Sequence, residues 1–356
     1  MPSRPTIAIP LLTLVPGELG GSETYVRELL ASLADVGEHE YRVVLPPVAP
    51  AAGGALPSTI ARGYRTARTM RERLAAMSLA TVRPGPLRAS LGGVDAVHFP
   101  LTIELPRTSL PTAVTLHDVQ HLDRPELFSR AERAFRAVAW HRSARRADLV
   151  IAISEFVRER AVERLGLNAE RMRVVPQGID HARFTPGHTA REPFLLYPAR
   201  GWQHKNHARL FEAFALLRRE QPELRLVLTG GDFERLPDGV ESRGHVSIDE
   251  LVSLLHRASA LVFPSLYEGF GLPPLEAMAC GCPVACSNAA ALPETVGDAA
   301  LLFDPTDVES IAAAIRDVLD DPQPWVERGL ARAALFSWDV TARATDSVYA
   351  ELSTRA

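Results

Sequence analysis

The chain has 356 residues, 46% hydrophobic and 23% charged, enough for about two domains of ordinary size with sizeable cores. A formal net charge of -4 at pH 7 excludes a whole-molecule attraction to nucleic acid, and no apolar run approaches the roughly 20 residues that span a bilayer. The three cysteines, Cys280, Cys282 and Cys286, are odd in number and clustered, which excludes a disulfide framework and points to a reducing compartment.

Taken in chain order, short apolar runs alternate with amphipathic stretches, the pattern of a parallel sheet covered by helices. The opening "TIAIPLLTL" reads as a buried strand, not a leader, because it is short, carries Pro10 and lacks a small-residue cleavage site. "YRVVLP", "AVHFP", "TAVTLHD", "LVIAIS" and "MRVVPQ" complete a first series of strands, with "PPVAPAAGGALPS" (46–58) as a loop. The non-periodic "DHARFTPGHTAREP" (180–193) reads as a linker. A second series follows: "FLLYPA", "LRLVLTG", "ALVFPS", "CPVACS" and "AALLFDP". Its clearest helix is "NHARLFEAFALLRRE", with Leu210, Phe211, Phe214 and Leu217 at helical spacing and Asn206 as N-cap. The tail from 338 is one more amphipathic helix. Two α/β doubly wound domains are expected, over 1–185 and 186–337. Ligands of such sheets bind at the carboxyl ends of the strands, which places the site in an interdomain cleft.

The stretch "SLYEGFGLPPLEAMACGCPVACS" (265–287) carries the densest chemistry. "ALVFPS" ends as a strand and "PPLEAMAC" begins a helix, with proline in the first turn and Gly281 closing it. The loop between them therefore lies at a helix N-terminus, where amides and the helix dipole favour an anion. Pro273 and Pro274 cannot donate, so the available amides are those of Gly269, Phe270, Gly271 and Leu272. Glu268 and Glu276 flank this anion site. Carboxylates accept hydrogen bonds and sugar hydroxyls donate them. A diphosphate between two hydroxylated rings, a nucleotide sugar, satisfies both. Arg200 and Lys205 in "PARGWQHKN" stand between a strand and a helix, where fixed cations can neutralise a leaving diphosphate. Gly20 and Gly21 open a helix after the first strand, as phosphate loops do. The "C-x-C-x3-C" cysteines lack a fourth ligand, so they read as buried thiols and no metal site is expected.

"EGFGLPPLE" resembles the E-x7-E signature of the retaining glycosyltransferases of family 4, which have the GT-B fold. The resemblance runs in order over nearly the whole chain, through "GGSETYVRELL", "TLHDVQHL", "IAISEFVRE", "VVPQGID", "PARGWQHKN", "LVLTGG" and "VFPSLYEGFGLPPLEAMACGCPVA". It implies that Glu268 holds the donor-sugar hydroxyls, that Glu276 holds the ribose, and that the amides of Phe270, Gly271 and Leu272 touch diphosphate or sugar. The Gly20–Gly21 loop would close over the diphosphate and acceptor side. His117 resembles the family histidine beside the donor sugar, with Asp118 orienting that imidazole or the acceptor. Ser154 and Gly178 would shape the cleft. The backbone of "RGHV", ending at Val246, would meet the nucleobase. The helix from 338 to 356 would pack back on the first domain.

The resemblance implies hexose transfer with retained anomeric configuration, and the leaving phosphate itself would take the acceptor's proton. Double displacement with Glu268 as nucleophile is the minority alternative. There is no D-x-D motif, no cofactor is expected, and domain closure would exclude water. "PARGWQHKN" looks like its counterpart in polysaccharide mannosyl- and rhamnosyltransferases, which points to GDP-mannose or a related hexose donor, a GDP- or UDP-sugar. The acceptor, a glycan, a lipid-linked chain or a small molecule, is left open. A nucleotide-sugar isomerase of the 2-epimerase type is the alternative, and the E-x7-E match argues against it. A non-catalytic binding protein is disfavoured by the intact acids and cations. A nicotinamide dehydrogenase is disfavoured because no G-x-G-x-x-G follows a strand. Two basic stretches, 61–77 and 130–146, fit peripheral contact with the inner face of a membrane. Ordinary arginine-rich surface helices of a cytoplasmic protein are the preferred reading.

Overall fold

A computed structural model describes residues 4–354 apart from 62–63, 65–69, 188, 232 and 234, and divides the chain into two compact units. The first comprises Met1–Gly178 with Trp338–Ala356, the second Ile179–Ser337.

The first unit holds a sheet of seven strands: β1 (Thr6–Pro10), β2 (Glu40–Leu45), β3 (Ser58–Ile60), β4 (Ala96–Phe99), β5 (Thr112–Leu116), β6 (Leu149–Ala152) and β7 (Met172–Val174). Every pairing is parallel, in the order β3-β2-β1-β4-β5-β6-β7. The order reverses between β1 and β4, which opens a crevice at their carboxyl ends. β4, β5 and β6 are buried at every residue, as strands covered on both faces must be.

The helix Trp338–Ser353 belongs to this unit although the second unit precedes it in sequence. Trp338, Ala342, Thr345, Tyr349 and Leu352 recur at helical spacing and are all buried. They form one face, which packs beside the helix Gly21–Val36. Tyr349 Oη lies 2.7 Å from His98 Nδ1, and His98 Nε2 lies 2.8 Å from Thr115 Oγ1. With both ring nitrogens bonded inside the core, burial drives the His98 pKa down to about 3, and His117 nearby adds to the shift.

Such a histidine stays neutral in the folded chain, while the unfolded chain takes up a proton below about pH 6.5. Stability present at neutral pH is therefore lost as the pH falls. His121 and His207, pushed down to about 4 chiefly by burial, act in the same direction. Between pH 7 and pH 5 the urea midpoint should drop, with His98 alone contributing on the order of 2 kcal/mol. A midpoint that holds or rises at pH 5 contradicts this.

The second unit is a six-stranded parallel sheet: β8 (Glu192–Pro198), β9 (Arg225–Thr229), β10 (Val240–Ser242), β11 (Ala258–Phe263), β12 (Val284–Ser287) and β13 (Leu301–Phe303). Its order is β10-β9-β8-β11-β12-β13, with the switch point between β8 and β11.

Three sequence readings are corrected in detail. The loop 46–58 ends in a strand, since Ser58 opens β3 at the sheet edge, and β10 was not anticipated. Both are three-residue strands without an apolar run. The units divide after Gly178, not at 185, because Ile179 and Phe184 are already buried in the second unit and His181 Nε2 donates to Phe336 O at 2.8 Å. Much of the basic stretch 61–77 lies outside the described residues. Of what is described, Ala61 and Tyr64 are buried ahead of the helix Met70–Val82, and 70–77 belong to that helix. No described helix is long and apolar enough to cross a membrane.

Candidate functional site

In the second unit, two loops leave the sheet on either side of its switch point. The loop after β8 carries Arg200 and Lys205, and the loop after β11 carries Glu268 to Gly271. Three links join them. Leu266 N donates to His204 O at 2.8 Å. Asn206 Nδ2 donates to Pro264 O at 3.1 Å and to Pro305 O at 2.7 Å. Lys205 Nζ pairs with Glu268 Oε1 at 2.6 Å, the two side chains being only 13% and 16% exposed. Tyr197 Oη donates to Lys205 O at 2.6 Å, and Lys205 Nζ lies 5.3 Å from the centroid of the Phe263 ring. The acid and the cation singled out in the sequence thus form one nearly buried ion pair.

Asn206 occupies the expected N-cap position with φ +62, but its side chain does not cap the helix. It spans the two loops instead. Its left-handed backbone is one that asparagine tolerates better than most residues.

The loop after β11 is also held from behind. Ala291 N donates to Glu268 O at 3.3 Å, and Thr295 Oγ1 donates to Phe270 O at 2.8 Å. Phe270 is 4% exposed, with its ring edge-on to Phe336. Gly271 has φ +126, and a Cβ there would sit 2.8 Å from Leu292 Cδ2, so only glycine fits. Leu272 then opens the helix Leu272–Ala279, on which Glu276 is half-buried. The three cysteines are buried free thiols, and burial raises Cys280 to about 12 and Cys282 to about 11.

Arg200 stacks over Trp202 at 5.3 Å. Gly230, φ +94, lets the end of β9 approach the backbone of Ala199 and Arg200, where an added Cβ would meet both at 3.3–3.4 Å. Val246 is half-buried on the loop after β10. That loop is joined to β9 by Gly230 N donating to Gly244 O at 2.7 Å.

Of the first unit's candidates, His117 lines a cavity of about 210 Å³, walled also by Ser22, Thr102, Phe135, Arg136 and Trp140 among others, and Gly20, Gly21, Asp118 and Ser154 are not among its lining residues. Gly20, φ +55, is the N-cap of the helix Gly21–Val36, and Gly21 has open space around its Cα. His117 Nε2 lies 2.8 Å from Pro100 O, so that nitrogen carries the proton and donates. Tyr25 packs edge-on against the imidazole at 5.0 Å. Burial lowers the His117 pKa, opposed by the bond to Pro100 and by Asp118. The neutral ring therefore offers Nδ1 as an acceptor.

Asp118 does not orient the imidazole. Its Oδ1 accepts from Gln120 N at 2.9 Å and pairs with Arg136 at 3.4 Å. Ser154 is fully buried and caps the helix Glu155–Leu165 by accepting from Val157 N. Sequence reasoning missed the stack in which Arg136 lies 4.1 Å over Trp140 and 4.6 Å over Phe128. The i, i+4 spacing of Arg136 and Trp140 was the available signal.

Comparison with known proteins bears on both units. The family described as Glycosyltransferase Family 4 matches residues 19–183, and that described as Glycosyl transferases group 1 matches residues 179–331. The chain is 31% identical over 283 residues to O-antigen chain mannosyltransferase B of Escherichia coli, covering 72% of this chain and 74% of that protein. It is 34% identical over 226 residues to the MMP alpha-(1->4)-mannosyltransferase of Mycolicibacterium hassiacum, covering 58% of this chain and 55% of that one. Among solved structures, sucrose-phosphate synthase from Thermosynechococcus elongatus superposes with a TM-score of 0.79 at 23% identity, over 99% of this chain and 100% of that one. Anabaena HepE in complex with UDP and glucose gives 0.71 at 17% identity, over 97% and 99%. These structural likenesses give both units the GT-B architecture.

Proposed function

The chain belongs to glycosyltransferase family 4, and from that premise we propose that it moves a hexose, mannose in our reading, from a nucleotide diphosphate sugar to an acceptor hydroxyl. The observation that carries this is the Lys205–Glu268 pair at the switch point of the second sheet, beside the start of the helix Leu272–Ala279. In the free protein each charge compensates the other, so neither is left unpaired in a nearly buried place. An arriving donor exchanges both partners at once. Its diphosphate takes Lys205, and its sugar hydroxyls donate to Glu268. Arg200 and the amides of residues 269–272 add further positive potential for the leaving diphosphate, and Glu276 takes the ribose. Val246 borders the nucleobase. No metal ion or cofactor is required in this reading.

Mannose is favoured because relatives named as mannosyltransferases cover the chain from two different bacteria. HepE, solved with UDP and with UDP-glucose, keeps a UDP-sugar as the second choice of donor. His117, through Nδ1, accepts a bond from a hydroxyl in the cavity of the first unit, where the acceptor enters. The anomeric configuration is retained, and the departing phosphate oxygen takes the acceptor's proton.

The test is a thermal-shift screen against GDP, UDP, TDP and ADP and their common sugar conjugates. A ligand at a hundredfold its dissociation constant adds about 2.7 kcal/mol, which is a readable shift. A guanosine compound should stand out. No shift from any nucleotide sinks the proposal, and a shift from UDP compounds alone sinks the mannose assignment in favour of a UDP-hexose.

A further inference from the structure

The loop that leaves β4 turns at once. Leu101 O accepts from Ile103 N at 2.8 Å, and Thr102 between them has φ +69. This is the γ-turn with a positive central angle, a rare and strained form. A β-branched residue suits that angle worst, because its side chain crowds the backbone. Thr102 is the one β-branched residue with positive φ among the described residues, and it is 1% exposed.

Glycine would take the same turn without strain. What threonine adds is a hydroxyl, and Thr102 Oγ1 donates to Thr115 O at 2.8 Å. Just ahead of the turn, Pro100 O accepts from His117 Nε2, also at 2.8 Å. Thr115 lies in the last turnings of β5 and His117 directly follows that strand. The turn is therefore fastened to the end of β5 at two points, once through the hydroxyl of Thr102 and once through the imidazole. Both residues line the same cavity. Backbone strain of this kind persists only where the surroundings hold it, and it gathers at functional sites.

We propose that Thr102 is a positioning residue: its hydroxyl holds the strained turn in place, so that Pro100 O keeps the His117 proton on Nε2 and Nδ1 stays an acceptor for the substrate. This rests on the reading that His117 meets a substrate hydroxyl through Nδ1. Once the hydroxyl is gone, the strain has nothing to oppose it. The turn relaxes, Pro100 O leaves the ring, and the imidazole is released. A role in packing alone ranks substitutions by the volume removed, with glycine the worst. The anchoring role ranks glycine above valine, because glycine removes the strain together with the bond.

The test is hydrogen exchange of the His117 Nε2 proton, followed by nitrogen-edited NMR on the full chain without ligand. The signal is assigned by its absence in His117→Gln. The ring proton of His98, bonded within the core of the same unit, reports opening of the whole unit. Thr102→Val keeps the branched shape and the strain but drops the donor. The His117 proton should then exchange about tenfold faster or more, with His98 unchanged. Thr102→Ala also keeps a strained Cβ without the hydroxyl, so it should act in the same direction and decides the matter where valine prevents folding. Thr102→Ser should match the parent, and Thr102→Gly should fall between the parent and Thr102→Val. The proposal is overturned if the parent has no protected proton at Nε2, or if valine and alanine leave its exchange unchanged. It is equally overturned if His98 accelerates to the same degree, if serine is as fast as valine, or if glycine is the fastest. Nucleotide thermal shifts on the same variants should equal the parent's. A parent that shifts with no nucleotide sinks the proposed function without altering the exchange result, so the two failures are told apart.

Discussion

Lys205→Ala should lower kcat/KM with the protein's own donor by about a hundredfold to a thousandfold while leaving the chain folded. The ammonium is the cation best placed to meet a developing diphosphate charge, since it is 13% exposed and sits at the β8–β11 switch point. Removing it also leaves Glu268 without its 2.6 Å partner. A hydrogen bond between charged groups contributes about 1.5–3 kcal/mol, so a modest fall in melting temperature accompanies the loss of turnover. Glu268→Ala should lose turnover to a similar degree. The double variant should be little slower than either single one, because residues that act as a unit are strongly non-additive. Steady-state kinetics on all three, with unfolding curves as the control for folding, decide the matter. Near-normal turnover in Lys205→Ala removes that residue from the site.

Asn206→Ala carries the second large effect, and it falls on stability first. Asn206 is 4% exposed, and its amide satisfies two buried carbonyls, Pro264 O and Pro305 O. Stranding each carbonyl costs about 1–3 kcal/mol. Alanine at φ +62 adds roughly 1 kcal/mol of backbone strain. A total of about 3–7 kcal/mol is expected. Asn206→Gly relieves the strain but not the lost bonds, so it should recover about 1 kcal/mol and no more. Since Asn206 anchors the turn that presents Lys205, donor affinity should weaken in both variants. Denaturant titrations and donor KM measure the two effects. A variant as stable as the parent contradicts the role of that side chain as a brace.

Much of this was legible beforehand for a physical reason. Strands buried on both faces, such as Leu149 to Ala152 and Ala260 to Phe263, are written as unbroken apolar runs, which is the pattern a sequence displays most plainly. β3 and β10 escaped because three-residue strands have no period to read. The candidate residues of the second unit stand out in the sequence because the loop after β11 sets glycine, proline and acid close together. What links them does not. Nothing in "HKNH" says that Asn206 gives up capping to bridge two loops, or that Lys205 and Glu268, 63 positions apart, become partners. Of the two readings of Asp118, the one toward the imidazole finds no bond: adjacency to His117 in sequence does not place its carboxylate on the ring, and the Gln120 amide and Arg136 take it instead. The return of the helix 338–353 to the first unit rests on Tyr349 finding His98, a contact between residues 251 positions apart.

The most direct test of a donor site on the second unit is diffraction from crystals of the full chain grown with the nucleotide sugar that wins the thermal screen. The diphosphate is expected within hydrogen-bond reach of Lys205 Nζ and the amides of residues 269–272, with the Lys205–Glu268 pair opened and Glu268 on the sugar. A nucleotide bound elsewhere, with that pair still closed, would contradict the assignment.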